Sequence, residues 1–208
     1  CIRDRARAAD IADPGAMADL VNQVQRDFGP VDLLLLNGGG PPAGCFGELD
    51  LEQWEAAYRL LVESSVSTCR LVLPGMMARG WGRIVQFTSI GGFQAVENLV
   101  LSKGLRPAGR SLFRNVALVA APAGVTVNSV APGFHMTSAV ERLINRKIEQ
   151  TGCTREDVLA GWTGEIPLGR LGKPEELASL VLYLMSEGAA YITGQNLVCD
   201  GGWVRGTF

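Results

Sequence analysis

A hydroxyl and an amine, brought together by a strand and the helix after it, are the groups in this chain best suited to chemistry. Ser89 ends the run Arg83–Thr88, whose Ile84, Val85 and Phe87 are β-prone residues of a core strand, and Ile90-Gly91-Gly92 follow as flexible punctuation. A hydroxyl at the carboxyl end of a strand faces the crevice in which open α/β sheets bind ligands. Lys103 stands on Val96–Leu105, which lacks strand alternation and reads as a helix start. Leu99 precedes Lys103 by one turn on the same face. A serine there can polarise a carbonyl oxygen, and the lysine can raise the local positive potential.

The elements that must position this pair are legible on both sides of it. Ala8–Ile11 reads as the end of a short strand, and Asp13-Pro14 as a helix entry with Asp as cap and Pro at the first helical position. Met17, Leu20, Val21, Val24 and Phe28 recur at helical spacing until Gly29-Pro30 stops the helix. Val31–Leu36 is a continuous apolar run, expected as a parallel strand buried on both faces, and it ends in Asn37-Gly38-Gly39-Gly40-Pro41-Pro42. Glycines in such a turn let a flat ligand approach the backbone. Asp50 caps a long amphipathic helix running to Gly80, with Gln53 completing the cap and Leu61 a core leucine.

The Lys103 helix continues to Ala121 but carries Gly104, Pro107 and Gly109, poor interior residues. Pro107 removes the hydrogen bond to the Lys103 carbonyl, so either a kink or another donor is expected there. Val125–Val130 is a further apolar strand leading into Pro132-Gly133-Phe134-His135-Met136-Thr137. His135, the one histidine, reads as a packing or surface residue rather than an acid/base. Residues 138–165 form an amphipathic stretch. A capped helix after Lys173-Pro174 and the strand Asn196–Cys199 close the chain.

With 208 residues, 47% of them hydrophobic, the chain suits a single globular domain spanning 1–208. A net charge of −2 gives neither a nucleic-acid footprint nor a basic membrane face. No apolar run suggests a membrane span and no signal-peptide layout opens the chain, so the expectation is cytoplasmic. The five cysteines lack the paired spacing of zinc sites and read as free thiols, and no metal site is expected.

These residues resemble the short-chain dehydrogenase/reductase family, and in particular an atypical subgroup labelled 3-oxoacyl-carrier-protein reductase-like with a GGP-containing strand-end turn and an LxLS helix start. The resemblance covers nearly the whole chain, and the C-terminal segments from Ile166 to Gly202 are its most specific part. It implies an α/β, Rossmann-like doubly wound parallel sheet of order 3-2-1-4-5-6-7, lacking here the first strand-helix-strand with its TGxxxGxG turn. An unpaired central sheet edge follows, and a parent longer than these residues.

By the same resemblance the cofactor is NAD or NADP and the substrate a small carbonyl or alcohol compound. Asp10 would contact the adenine, with solvated strand-end acid as the equal alternative. Asn37, Gly38 and Gly39 would line the cofactor, Lys103 would hold its ribose, and Pro132, Gly133 and Thr137 would meet the nicotinamide carboxamide. A substrate lid would span about 138–165, with an insertion packed elsewhere as the near-equal alternative, and the helices would assemble a homo-tetramer or homo-dimer. Ser89 and Lys103 match the catalytic set. Leu99 stands where the family has its tyrosine acid and Leu61 where it has an asparagine. The proton donor is therefore open among Asn98, Ser102, Glu97 and a water on Lys103. Two functions stay open with it: an oxidoreductase with an altered donor, and a cofactor-binding pseudoenzyme without turnover.

Overall fold

The computed structural model describes residues 6–93 and 99–206. Helix α1, Pro14–Phe28, begins where the Asp13 carboxylate accepts from the Gly15 and Ala16 amides and ends at Gly29, whose φ of +89° a side chain would resist. Met17 and Val21 carry its buried face, whereas Phe28 is exposed. The expected strand at Ala8–Ile11 is not formed. Residues 6–10 have no regular structure and Asp10 enters a turn, since among the described residues no strand lies alongside to take their hydrogen bonds.

Four parallel strands, β1 (Leu33–Leu36), β2 (Gly82–Phe87), β3 (Val125–Pro132) and β4 (Asn196–Cys199), form one sheet in sequential order. Parallel neighbours need long crossovers, and helices supply them. Between β1 and β2 run α2 (Leu51–Tyr58), a π-helical turn over Arg59–Glu63, and α3 (Ser64–Arg79); α4 (Val100–Ala120) links β2 to β3. Helices α5 (Ser138–Thr151), α6 (Arg155–Glu165) and α7 (Pro174–Leu184) lead to β4. Asp50 and Gln53 cap α2 reciprocally, as expected.

Successive residues of the central strands serve opposite layers. Ile84 and Val127 pack with α1, α3 and α4 through Val21, Val72, Met76, Phe113 and Ala117, while Val85 and Val130 pack with Val181 and Leu184 of α7. β1 departs from expectation: it is not buried on both faces, since Leu33 and Leu35 are 49% and 43% exposed. It lies at the edge, bonded only to β2 among the described residues.

Helix α4 is continuous through Pro107. Its glycines have packing reasons: a Cβ at Gly104 would press on the Trp54 ring at 3.3 Å, and one at Gly109 would meet the Gln86 amide at 2.9 Å. They let α2 and β2 approach α4 closely. The helix begins at Val100, later than expected, with Leu99 as its cap residue and Val96 outside the described residues.

Candidate active site

The carboxyl ends of β1, β2 and β3 lie side by side and deliver Asn37, Ser89 and Gly133 to one edge of the sheet. Leu36 pairs with Gln86 and Gln86 with Ser129, so the three strands end within three residues of that row. Ser89 is half-buried and extended, and its Oγ accepts from the Gly91 amide at 3.1 Å. That bond uses a lone pair and leaves the hydroxyl proton for a ligand.

Lys103 approaches the same turn. The point a Cβ on Gly91 would occupy is 3.4 Å from Ser89 Oγ and 3.4 Å from Lys103 Cε. The hydroxyl and the lysine thus flank one glycine, and a side chain there would crowd both. Burial lowers the Lys103 ammonium to a pKa of about 8. Leu99 lies one turn before it, its carbonyl accepting from the Lys103 amide at 3.0 Å, and its backbone bridges to Gly44. Leu61 is buried inside the π turn. Asn98 and Glu97 lie outside the described residues.

The other expected site residues divide by what holds them. Asp10 is exposed, with Oδ1 accepting from the Ala12 amide at 2.9 Å. Asn37 is exposed directly after β1. Gly38 and Gly133 are glycines for reasons internal to the protein: a Cβ would meet the Leu60 carbonyl at 2.9 Å in the first case and Asp200 Cα at 2.7 Å in the second. Pro132 ends β3, and Thr137 caps α5 through a hydroxyl 3.4 Å from the Val140 amide. His135 is a buried packing residue, its Nδ1 3.2 Å from the Gly133 carbonyl and its Nε2 3.7 Å from Cys199 Sγ.

The structure adds Arg106 to this edge, which reasoning from sequence did not single out. Its Nη1 donates to the Thr88 carbonyl at 2.9 Å and the Phe87 carbonyl at 3.3 Å, its Nη2 donates to the Gly39 carbonyl, and its Nε donates to Ser102 Oγ at 3.1 Å. One guanidinium ties the turn after β1 to the end of β2. The available signal was an arginine one helical turn beyond a serine, on the helix that follows Ser89.

A flat dinucleotide fits this edge on one test. Gly39 has φ +68°, a conformation that favours glycine, and nothing lies within 4 Å of where its Cβ or that of Gly40 would be. The turn after β1 therefore offers open backbone beside Asn37. Among the described residues no group of three His, Cys, Asp or Glu side chains is placed to hold a metal ion, and no helix is long and apolar enough to cross a membrane.

Residues 2–204 match the family model described as enoyl-(acyl carrier protein) reductase. The chain belongs to the short-chain dehydrogenase/reductase family. Members of this family are NAD(P)-dependent oxidoreductases, and the chain is one of them. It is 35% identical over 202 residues to the D-beta-hydroxybutyrate dehydrogenase of Rhizobium meliloti (strain 1021), covering 94% of this chain and 76% of that one. The acetoacetyl-CoA reductase of the same organism is 31% identical over 197 residues, with 93% and 76% covered. Among solved structures, the L-sorbose reductase of Gluconobacter frateurii, complexed with NADPH and L-sorbose, is similar at a TM-score of 0.90 and 28% identity, over 96% of this chain and 76% of that one. This short-chain dehydrogenase/reductase brings Asn37, Ser89 and Arg106 to the carboxyl edge of its sheet.

Proposed function

We propose that this protein reduces the keto group of a 3-oxoacyl-type substrate with NADH or NADPH, and runs the reverse oxidation at the same site. The observation that carries the reading is the placement of Ser89 Oγ and Lys103 around Gly91 at the carboxyl end of β2. The reduced nicotinamide, when bound, supplies a hydride. Ser89 donates a hydrogen bond to the carbonyl oxygen, where negative charge develops. Lys103 holds the ribose and lends positive potential. Asn37 and Gly39 flank the cofactor, as do the turns of Pro132, Gly133 and Thr137, and Asp10 meets its adenine end. The names of two relatives, an acetoacetyl-CoA reductase and a D-beta-hydroxybutyrate dehydrogenase, support a substrate oxygenated two carbons from its carboxyl carbon.

The α5–α6 hairpin, residues 138–165, is the proposed substrate lid. Its inner face joins Val140, Ile144 and Val158 to Ile90, just past Ser89, and to Trp203, with Phe134 stacked on Trp162 at 4.8 Å. An apolar underside of this kind suits an acyl chain. Exposed Leu71, Leu118 and Val119 on α3 and α4 support assembly as a homo-dimer or homo-tetramer.

The test is oxidation of NADPH or NADH in the presence of a 3-oxoacyl thioester. Turnover dependent on the thioester supports the reading. Cofactor binding without thioester-dependent turnover overturns the 3-oxoacyl reading.

Lys103 gives this reading a pH dependence. A lysine whose pKa is lowered to about 8 is charged below that pH and neutral above it. Cofactor affinity is therefore expected to fall as pH rises through about 8, and Lys103→Met to remove that limb. The stability effect has the opposite sense: between about 8 and the ordinary value of 10.5 the unfolded chain binds the extra proton, so this group makes folding more favourable with rising pH. Cofactor titrations on either side of pH 8 check the first expectation, and an affinity unchanged across that range contradicts it.

A further inference from the structure

We propose that Ser102, its oxygen held by the Arg106 guanidinium, is the proton donor to the substrate carbonyl in this chain, with Arg106 the residue that positions and activates it. The inference rests on the carbonyl-reductase reading above and supplies the acid that Leu99 cannot. Ser102 and Arg106 stand four residues apart in the first two turns of α4, so they share a face. Four residues is also the separation of the tyrosine and lysine in the family's motif.

The hydrogen-bond direction decides what Ser102 can do. Arg106 Nε–H donates to Ser102 Oγ at 3.1 Å, which leaves the serine's own proton to be given to another oxygen. Where that oxygen would lie is set by the other arms of the guanidinium. They grip the carbonyls of Phe87, Thr88 and Gly39, so the pair is fixed at the end of β2 beside Ser89 and against the turn after β1.

The acceptors Arg106 meets among the described residues are neutral: three backbone carbonyls and one hydroxyl. Among the described residues no carboxylate pairs with it, and burial penalises its charge. An anion forming on Ser102 would relieve both conditions through a charge-assisted hydrogen bond. An ordinary alcohol is a weaker acid than a phenol, and the guanidinium hydrogen-bonded to its oxygen is the feature that makes its proton available.

The step balances. Hydride from the reduced nicotinamide forms the new C–H bond, and the carbonyl π pair moves onto oxygen, which takes the Ser102 proton. The serine oxygen, transiently anionic against Arg106, recovers a proton from solvent. The sum is carbonyl, NAD(P)H and a proton giving alcohol and NAD(P)+.

The test compares wild type with Ser102→Ala, Ser102→Thr and Arg106→Lys, measuring kcat with a 3-oxoacyl thioester and, separately, NADPH affinity by nicotinamide fluorescence. Ser102→Ala is expected to lose about a hundredfold or more in kcat, the low side of what a positioned general acid contributes, with NADPH affinity unchanged. Ser102→Thr should retain most of the rate. Arg106→Lys should add an alkaline limb to kcat at saturating cofactor, since an ammonium titrates where a guanidinium does not. Wild-type kcat in Ser102→Ala overturns this proposal and leaves the carbonyl-reductase reading standing. An active wild type whose Ser102→Ala loses NADPH affinity as much as rate also overturns it, by assigning Ser102 to binding. Absence of turnover in the wild type despite NADPH binding overturns both.

Discussion

Replacing Ser89 by alanine is expected to lower kcat by about 10²–10³-fold, the effect of removing one preorganised donor to a developing oxyanion. In free-energy terms that is about 3–4 kcal/mol of transition-state stabilisation. The hydroxyl is placed for it: the Gly91 amide takes one lone pair at 3.1 Å and holds the rotamer, which leaves the hydroxyl proton to be donated. The same substitution frees the Gly91 amide, a structural cost of about 0.5–1.5 kcal/mol. Ser89→Thr, which keeps the hydroxyl, separates the two contributions. Steady-state kinetics with a 3-oxoacyl thioester, together with melting curves, measures both. An unchanged kcat in Ser89→Ala would move the chemistry away from this strand end.

The largest expected loss of stability is in Phe113→Ala. Phe113 is 2% exposed on α4 and packs in the cluster that joins α1, α3 and α4 to Ile84 and Val127 of the sheet. Removing a buried aromatic ring of this kind costs about 3–5 kcal/mol. Whole domains are stable by only about 5–15 kcal/mol, so the variant should unfold at a much lower denaturant concentration. Activity should fall with it, because α4 also carries Ser102, Lys103 and Arg106. Urea denaturation with the slope held as a control checks this, and a midpoint near wild type would mean that α4 is not docked as described.

What was legible in the sequence was local. The Asp13 and Asp50 caps, the strands expected over Arg83–Thr88 and Val125–Val130, and Ser89 just past a strand end follow from neighbouring residues, and the structure has strands at Gly82–Phe87 and Val125–Pro132 and both caps in place. What was not legible depended on distant partners. Four consecutive leucines read as a fully buried strand, yet Leu33 and Leu35 are exposed because β1 lies at the edge among the described residues. At Gly38 and Gly133 residue types do not show a further constraint: Leu60 and Asp200, remote in sequence, occupy the space a side chain would need. Arg106 escaped notice for the same reason: its partners are backbone carbonyls at 39, 87 and 88, and backbone groups leave no signature in residue types. The π turn around Leu61 likewise has no marker in the helical pattern that runs through it.

The central claim is that the crevice at the carboxyl ends of β1, β2 and β3 is where a carbonyl accepts hydride. The most direct measurement is to supply NADPH deuterated at C4, each face in turn, with a 3-oxoacyl thioester and analyse the hydroxyacyl product by mass spectrometry. The account predicts one deuterium on the new carbinol carbon from one face only, at a rate that collapses in Ser89→Ala. Product without deuterium from either face, or no product while the cofactor is bound, would contradict it.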